Sequence, residues 1–152
     1  MLSLRSAFSV LAILMVFAGK PVMAWAFDFR SVGVDRAIMF DAPSDKAQKL
    51  FIVGHYYPLE VIVNLESWAK VRDVTGALAW IQQKSLSSTR YVIVTADVAD
   101  IHQGPDLGSP VVFQAQKDVA LELVELTGSN WVKVRHKDGQ TGFVQISQIW
   151  GV

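Results

Sequence analysis

Cysteine is missing from all 152 residues. That excludes disulfide staples, thiolate metal sites, cysteine nucleophiles and a lipid-bearing cysteine behind an export signal. Apolar packing alone must hold the fold. An excess of charge is missing too, because 14 basic residues balance 14 acidic ones. Such a balance offers no electrostatic case for nucleic-acid binding and does not describe a disordered polyelectrolyte. No glycine-rich phosphate cradle and no Gly-x-Ser-x-Gly elbow occurs, which removes two common frames for nucleotide binding and serine catalysis. His55, His102 and His136 lack the spacing of zinc ligands. No metal, no cofactor and no enzymatic activity are expected.

What is present begins with an uneven distribution of apolar residues, which make up 51% of the chain. Arg5 precedes an apolar run from Ala7 to Gly19, followed by Lys20, Pro21 and then Ala24-Trp25-Ala26. Positive charge, a short apolar core and small residues at the two inspected positions describe a secretory signal over 1–26. Its apolar run is shorter than the ~20 residues a membrane-spanning helix needs. Cleavage is expected after Ala26, with Ala24 as the alternative. Removing Arg5 and Lys20 with the leader leaves 12 basic against 14 acidic residues. The mature protein would be mildly acidic and without a membrane span.

The remaining chain contains one pattern twice. Trp68-Ala-Lys-Val-Arg72 returns as Trp131-Val-Lys-Val-Arg135. At the same offset of 63, Gly76 meets Gly139, Trp80 meets Phe143 and Gln82 meets Gln145. Upstream the offset is 62, where Pro43 meets Pro105, Phe51 meets Phe113 and Leu59-Glu60 meets Leu121-Glu122. One extra residue therefore belongs in the polar stretch Thr127-Gly128-Ser129-Asn130, where a loop tolerates it. Two copies are expected, over 34–88 and 91–152.

Each copy reads as short strands. Tyr57 to Val63 and Val119 to Leu126 are β-branched and apolar, while Trp68 to Asp73 and Trp131 to His136 alternate. Thr75-Gly76 and Asp138-Gly139 are turn signals. Tyr91-Val92-Ile93-Val94 reads as an added strand at the junction, able to pair with either copy. Five or so strands in each short copy, with no disulfides, predict small closed β-barrels that leave few open sheet edges. The fold class is therefore all-β, two tandem barrels behind an N-terminal signal helix.

A proline-marked loop, an apolar strand, Trp-x-Lys-Val-Arg, a glycine turn and Gly-aromatic-Val together resemble the bacterial Src-homology-3 (SH3-like) domain. The second copy carries the resemblance as Gly104-Pro105, Ser109-Pro110-Val111-Val112, Trp131-Val-Lys-Val-Arg135, Asp138-Gly139 and Thr141-Gly142-Phe143-Val144. The first copy departs from it at Ala79, where the second has Gly142. The resemblance implies an exported module that binds peptides, cell-wall material or other proteins, with the periplasm as its compartment.

Strand parity points to a surface. Side chains alternate between the faces of a strand, so if Val132 and Val134 enter the core, Trp131, Lys133 and Arg135 lie opposite. Ala69 and Val71 likewise oppose Trp68, Lys70 and Arg72. On the return strands Phe143 and Trp80 join the outer set. These eight residues, Trp68, Lys70, Arg72, Trp80, Trp131, Lys133, Arg135 and Phe143, are the candidate ligand-binding set, because aromatic rings beside cations suit recognition. In eukaryotic members of the fold the matching Trp and return-strand aromatic line a groove for proline-rich peptides. That groove also uses a proline and a tyrosine where this chain has Gln145 and Gln148, or Gln82 and Ser85, so a proline-rich ligand is not expected. The alternative placement buries the rings between the barrels or against the junction strand. Glu60 and Glu122 are expected on a solvated face, and Tyr57 is expected to pack where the second copy has Val119.

The functional expectation is an exported, non-enzymatic binding module for a peptide, peptidoglycan or an envelope protein. The alternative is a structural or assembly protein whose aromatic faces are buried between barrels or subunits.

Overall fold

The computed structural model describes residues 27–152. The signal read over 1–26, with its helix and cleavage point, lies outside the described residues. The described chain is all-β, built as two sheets of seven antiparallel strands each. The first contains β1 (Asp28–Val32), β2 (Arg36–Phe40), β3 (Lys49–Gly54), β4 (Pro58–Asn64), β5 (Trp68–Arg72), β6 (Leu78–Gln82) and β7 (Leu86–Ser87). The second contains β8 (Tyr91–Val94), β9 (Val98–His102), β10 (Val111–Gln116), β11 (Ala120–Leu126), β12 (Trp131–Arg135), β13 (Thr141–Gln145) and β14 (Ile149–Trp150). Each sheet curls into a barrel, and the strand orders β3-β2-β6-β5-β4-β1-β7 and β10-β9-β13-β12-β11-β8-β14 are the same order repeated.

The two offsets are visible in the strands. β4 and β11 are separated by 62 positions, and β5 and β12 by 63. The extra residue lies in the loop between β11 and β12. Gly76 and Gly139 take positive φ, +88° and +96°, at the matching turns, a conformation that glycine adopts without steric cost. Tyr56 (φ 70°) and Asp118 (φ 68°) are also repeat partners.

One boundary differs from the sequence reading. The first sheet starts at Asp28, ahead of residue 34, because β1 pairs with β4 and β7. Only Phe29 and Val32 of this strand are apolar core residues, so its pattern is weak. Of the two pairings open to Tyr91 to Val94, the structure shows the one within the second copy. This strand is the repeat partner of β1 and pairs with β11 and β14 inside the second barrel.

Each barrel has its own core. The first gathers Val32, Met39, Leu59, Ala69, Val71, Ala79 and Ile81, with Tyr57 packed against them. The second gathers Val92, Val94, Ile101, Leu121, Val132, Val134 and Val144, with Val119 at the Tyr57 position. The inward residues expected from parity are the buried ones.

Partial burial holds the Tyr57 phenol above its ordinary pKa of 10.0, and the negative charge of Asp73 adds to the effect. Tyr91 is raised in the same direction, first by burial and then by neighbouring Tyr56. The fold thus prefers these phenols neutral. Their contribution to stability is complete below pH ~10 and is lost as pH climbs through the raised folded values. We expect the urea midpoint to fall across that alkaline window and to fall less in Tyr57→Phe. An equal decline in both proteins would contradict this.

Candidate functional site

The outer face of the first barrel is organised by cross-strand pairs. Lys70 lies opposite Trp80, Trp68 opposite Gln82, and Phe40 opposite Trp80. The row Phe40–Trp80–Lys70 therefore crosses β2, β6 and β5. Trp68 meets Phe40 edge to face, with ring centroids 5.4 Å apart. The second barrel repeats the row as His102–Phe143–Lys133. Lys133 Nζ stands 5.9 Å from the Phe143 ring centroid, within cation–π range. Trp131 meets His102 edge to face at 5.3 Å.

The two tryptophans then part company. Trp68 is half-buried and lines a groove of about 370 Å³ with Asp45, Glu66, Gln82, Gln83 and Lys84. A second groove of about 330 Å³ adjoins it, lined by Arg36, Ile38, Phe40, Lys49 and Ser85 and sharing Asp45 and Gln82. Gln82 Nε2 donates to Asp45 Oδ1 between the two, tying the β2–β3 loop to the barrel. Gln82 and Ser85 thus give this surface a polar lining.

Trp131 is only 8% exposed. Parity places it with the outward set, and it does lie opposite Val132 and Val134, yet it is buried; His102 meets it edge to face and the longer β11–β12 loop bonds its backbone through Thr127 and Ser129. His102 is itself buried and anchored, its Nδ1 donating to the Ser109 carbonyl at 2.8 Å. Such a ring offers little surface to a ligand.

Arg72 and Arg135 are directed elsewhere. Arg72 Nη1 donates to Glu60 Oε2 at 3.1 Å, and Arg135 pairs with Glu122 at 3.5 Å. Glu60 is not on a solvated face. It is 7% exposed, because Ile149 and Trp150 of the second barrel stand over it across a crevice. Glu122 is more open, its side chain 30% exposed against 10% for Glu60.

Neither Trp68 nor Trp131 packs between the barrels. The rings that do are Phe29 against Trp150, edge to face at 5.0 Å, and Tyr56 stacked on Tyr91 at 4.4 Å. Arg90 sits over Phe29 at 5.6 Å and its Nη2 donates to the Gly151 carbonyl at 2.9 Å. The Tyr91 amide donates to Ser31 Oγ at 3.0 Å. These contacts cross between units that sequence periodicity treats separately, so no repeat pattern signals them. The positive φ of Tyr56 is strained for an aromatic residue, and stacking on Tyr91 and His55 occupies its ring.

His136 Nδ1 lies 3.0 Å from Asp138 Oδ1, and hydrogen bonds from the Gln140 backbone and His136 hold the Asp138 carboxyl below its ordinary range. Among the described residues no three His, Cys, Asp or Glu side chains converge on a possible metal position. No helix among them is long and apolar enough to cross a membrane.

A family model described as the bacterial SH3 domain matches residues 33–88 and again 96–151. A comparison with curated proteins found no match. Among solved structures, NlpC2 from Trichomonas vaginalis is similar at 11% identity and a TM-score of 0.39, covering 84% of this chain and 49% of that one. NlpC1 from the same organism is similar at 12% identity and a TM-score of 0.38, covering 93% and 51%. An NlpC/P60 family protein from Bacillus cereus ATCC 10987 is similar at 13% identity and a TM-score of 0.36, covering 81% and 56%. The chain spans about half the length of these proteins.

Proposed function

The chain belongs to the bacterial SH3 domain family, and on that footing we propose that it is an exported, non-enzymatic module that holds the peptide part of peptidoglycan in the Trp68 groove. The carrying observation is the half-buried Trp68 ring in a groove whose walls mix Asp45 and Glu66 with Lys84, Lys49 and Arg36. Both signs of charge, two glutamine amides and one aromatic face suit a short peptide that bears carboxylate and amino groups. Such a ligand would find charge-assisted hydrogen bonds along the groove and apolar contact at its centre. The first barrel is the binding unit in this reading, because Trp131 is covered in the second. Export to the periplasm rests on the pattern of residues 1–26, and amino-terminal sequencing of protein from that fraction would find Phe27 first.

Retention on purified peptidoglycan tests the reading. Trp68→Ala is expected to weaken retention at least ~10-fold, equivalent to ~1.4 kcal/mol. Retention equal to wild type, or no retention by wild type, would remove the groove from consideration.

The structural alternative is favoured by one observation, the outward Ile38–Ile52 pair at the β3 edge, where Ile52 is 70% exposed. Self-association through that edge would appear as a concentration-dependent mass in sedimentation, abolished by Ile52→Lys.

A further inference from the structure

We propose that the crevice between the two barrels is a carbohydrate site, taking a neutral pyranose unit of a glycan against Trp150 and Phe27 and hydrogen-bonding it through Glu60 and Arg72. The crevice has a volume of about 350 Å³ and shares no lining residue with the Trp68 groove. That size falls at the lower end of small-ligand sites, which run from about 300 Å³ upward. Its walls come from both barrels: Phe27, Phe29, Glu60 and Arg72 from the first, Ile149 and Trp150 from the second.

The polar groups select the ligand class. Glu60 is more than nine-tenths buried, and Arg72 Nη1 occupies only its Oε2. No other side-chain hydrogen bond falls on either group among the described residues, so Glu60 Oε1 and the remaining Arg72 N–H groups are available. The pair is neutral as a unit. An anion would face the Glu60 carboxylate and a cation the Arg72 guanidinium, so neither is favoured. A purely apolar guest would strip water from a buried carboxylate and return no donor. A hydroxyl both donates and accepts, so two adjacent sugar hydroxyls can serve the acceptor Glu60 Oε1 and the donor Arg72 together.

The aromatic groups suit the rest of such a ligand. Phe27 is 65% exposed and Trp150 half-buried, so flat apolar rings stand beside the polar pair. The C–H face of a pyranose stacks on such rings while its hydroxyls reach past their edges. The wall is also held in place before any ligand arrives. Phe29 braces Trp150 at 89°, Arg90 lies over Phe29, and Arg90 is bonded to Gly151 beside Trp150. A preformed wall lowers the entropy lost on binding. The repeat supplies an internal contrast, since the Glu122 side chain is 30% exposed against 10% for Glu60.

A soluble β-1,4-linked tetramer of N-acetylglucosamine, titrated into the isotopically labelled protein, tests the site by NMR. We expect a Kd of about 0.1–1 mM, with shifts centred on Glu60, Arg72, Gly151 and the Trp150 indole N–H. Glu60→Gln keeps the shape but removes the carboxylate, and should weaken binding about 10-fold, while Trp150→Ala should abolish it and Trp150→Phe recover part of it. Trp68→Ala should leave this affinity unchanged, so loss of peptide binding and loss of sugar binding separate cleanly. No shifts at about 10 mM sugar, shifts centred on Trp68, or wild-type affinity in Glu60→Gln would each overturn the proposal. Should Trp150→Ala fail to fold, Glu60→Gln and Arg72→Gln carry the test.

Discussion

Replacing Trp131 by alanine should destabilise the protein by about 3–5 kcal/mol, the range for removing a large buried aromatic side chain. The ring is 8% exposed and braced edge to face by His102. Its removal would leave the buried His102 imidazole beside a void. The same substitution at Trp68 should cost only about 1–2 kcal/mol, because a partly exposed ring removes less apolar area from water. The two variants therefore divide: Trp131→Ala acts on stability, and Trp68→Ala acts on ligand retention. Urea melts followed by circular dichroism measure the first effect, with the m-value as a check on two-state behaviour. Equal losses of stability in the two variants would refute the assignment of different roles to two residues in one repeated motif.

Alanine at Gly142 is expected to cost about 3 kcal/mol, the upper part of the range for overpacking a core. A methyl there would stand 2.6 Å from Ile101 Cγ2 and 2.7 Å from the His102 carbonyl oxygen. The second contact is backbone, so a rotamer change cannot relieve it. The first barrel nevertheless accommodates Ala79 at this position, 2% exposed. Its neighbour in the repeat is Met39 in place of Ile101, within the same core as Ala79. An unbranched thioether can move its bulk away from the added methyl, whereas a β-branched isoleucine cannot. Ile101→Met should therefore be tolerated alone, and combined with Gly142→Ala it should recover roughly 1 kcal/mol of the loss, a coupling typical of touching residues. Thermal melts of the two single variants and the double variant measure this. Strict additivity would show that the His102 carbonyl, not the Ile101 methyl, sets the constraint.

The repeated Trp-x-Lys-Val-Arg strand made the barrels legible because strand parity is a local property. Val132, Val134, Ala69 and Val71 are core residues for the reason their alternation suggests. Tyr57 fills the Val119 position, and Gly76 and Gly139 make the turns. β1 was harder to read, because only two residues of Asp28–Val32 enter the core as apolar groups. The candidate site was legible as a face but not as a surface. Parity places a side chain opposite the core and is silent about what then covers it. His102 and Phe40, at the same repeat position, meet Trp131 and Trp68 alike, and what differs is the β11–β12 loop, one residue longer, whose Thr127 and Ser129 hydroxyls bond the Trp131 backbone.

By itself, then, the amino-acid sequence determined two all-β units, their inward residues, their turns and the row of rings and cations outside each core. These follow from periods of two residues and from offsets of 62 and 63, which operate within a strand or between copies. Only the tertiary structure decided which tryptophan is accessible, that Arg72 turns to Glu60, and that Phe29, Arg90, Tyr91 and Trp150 join the barrels around a crevice. Those outcomes depend on contacts between residues far apart in the chain. Such contacts carry no period, and they arise from how two finished barrels exclude water from the surface between them.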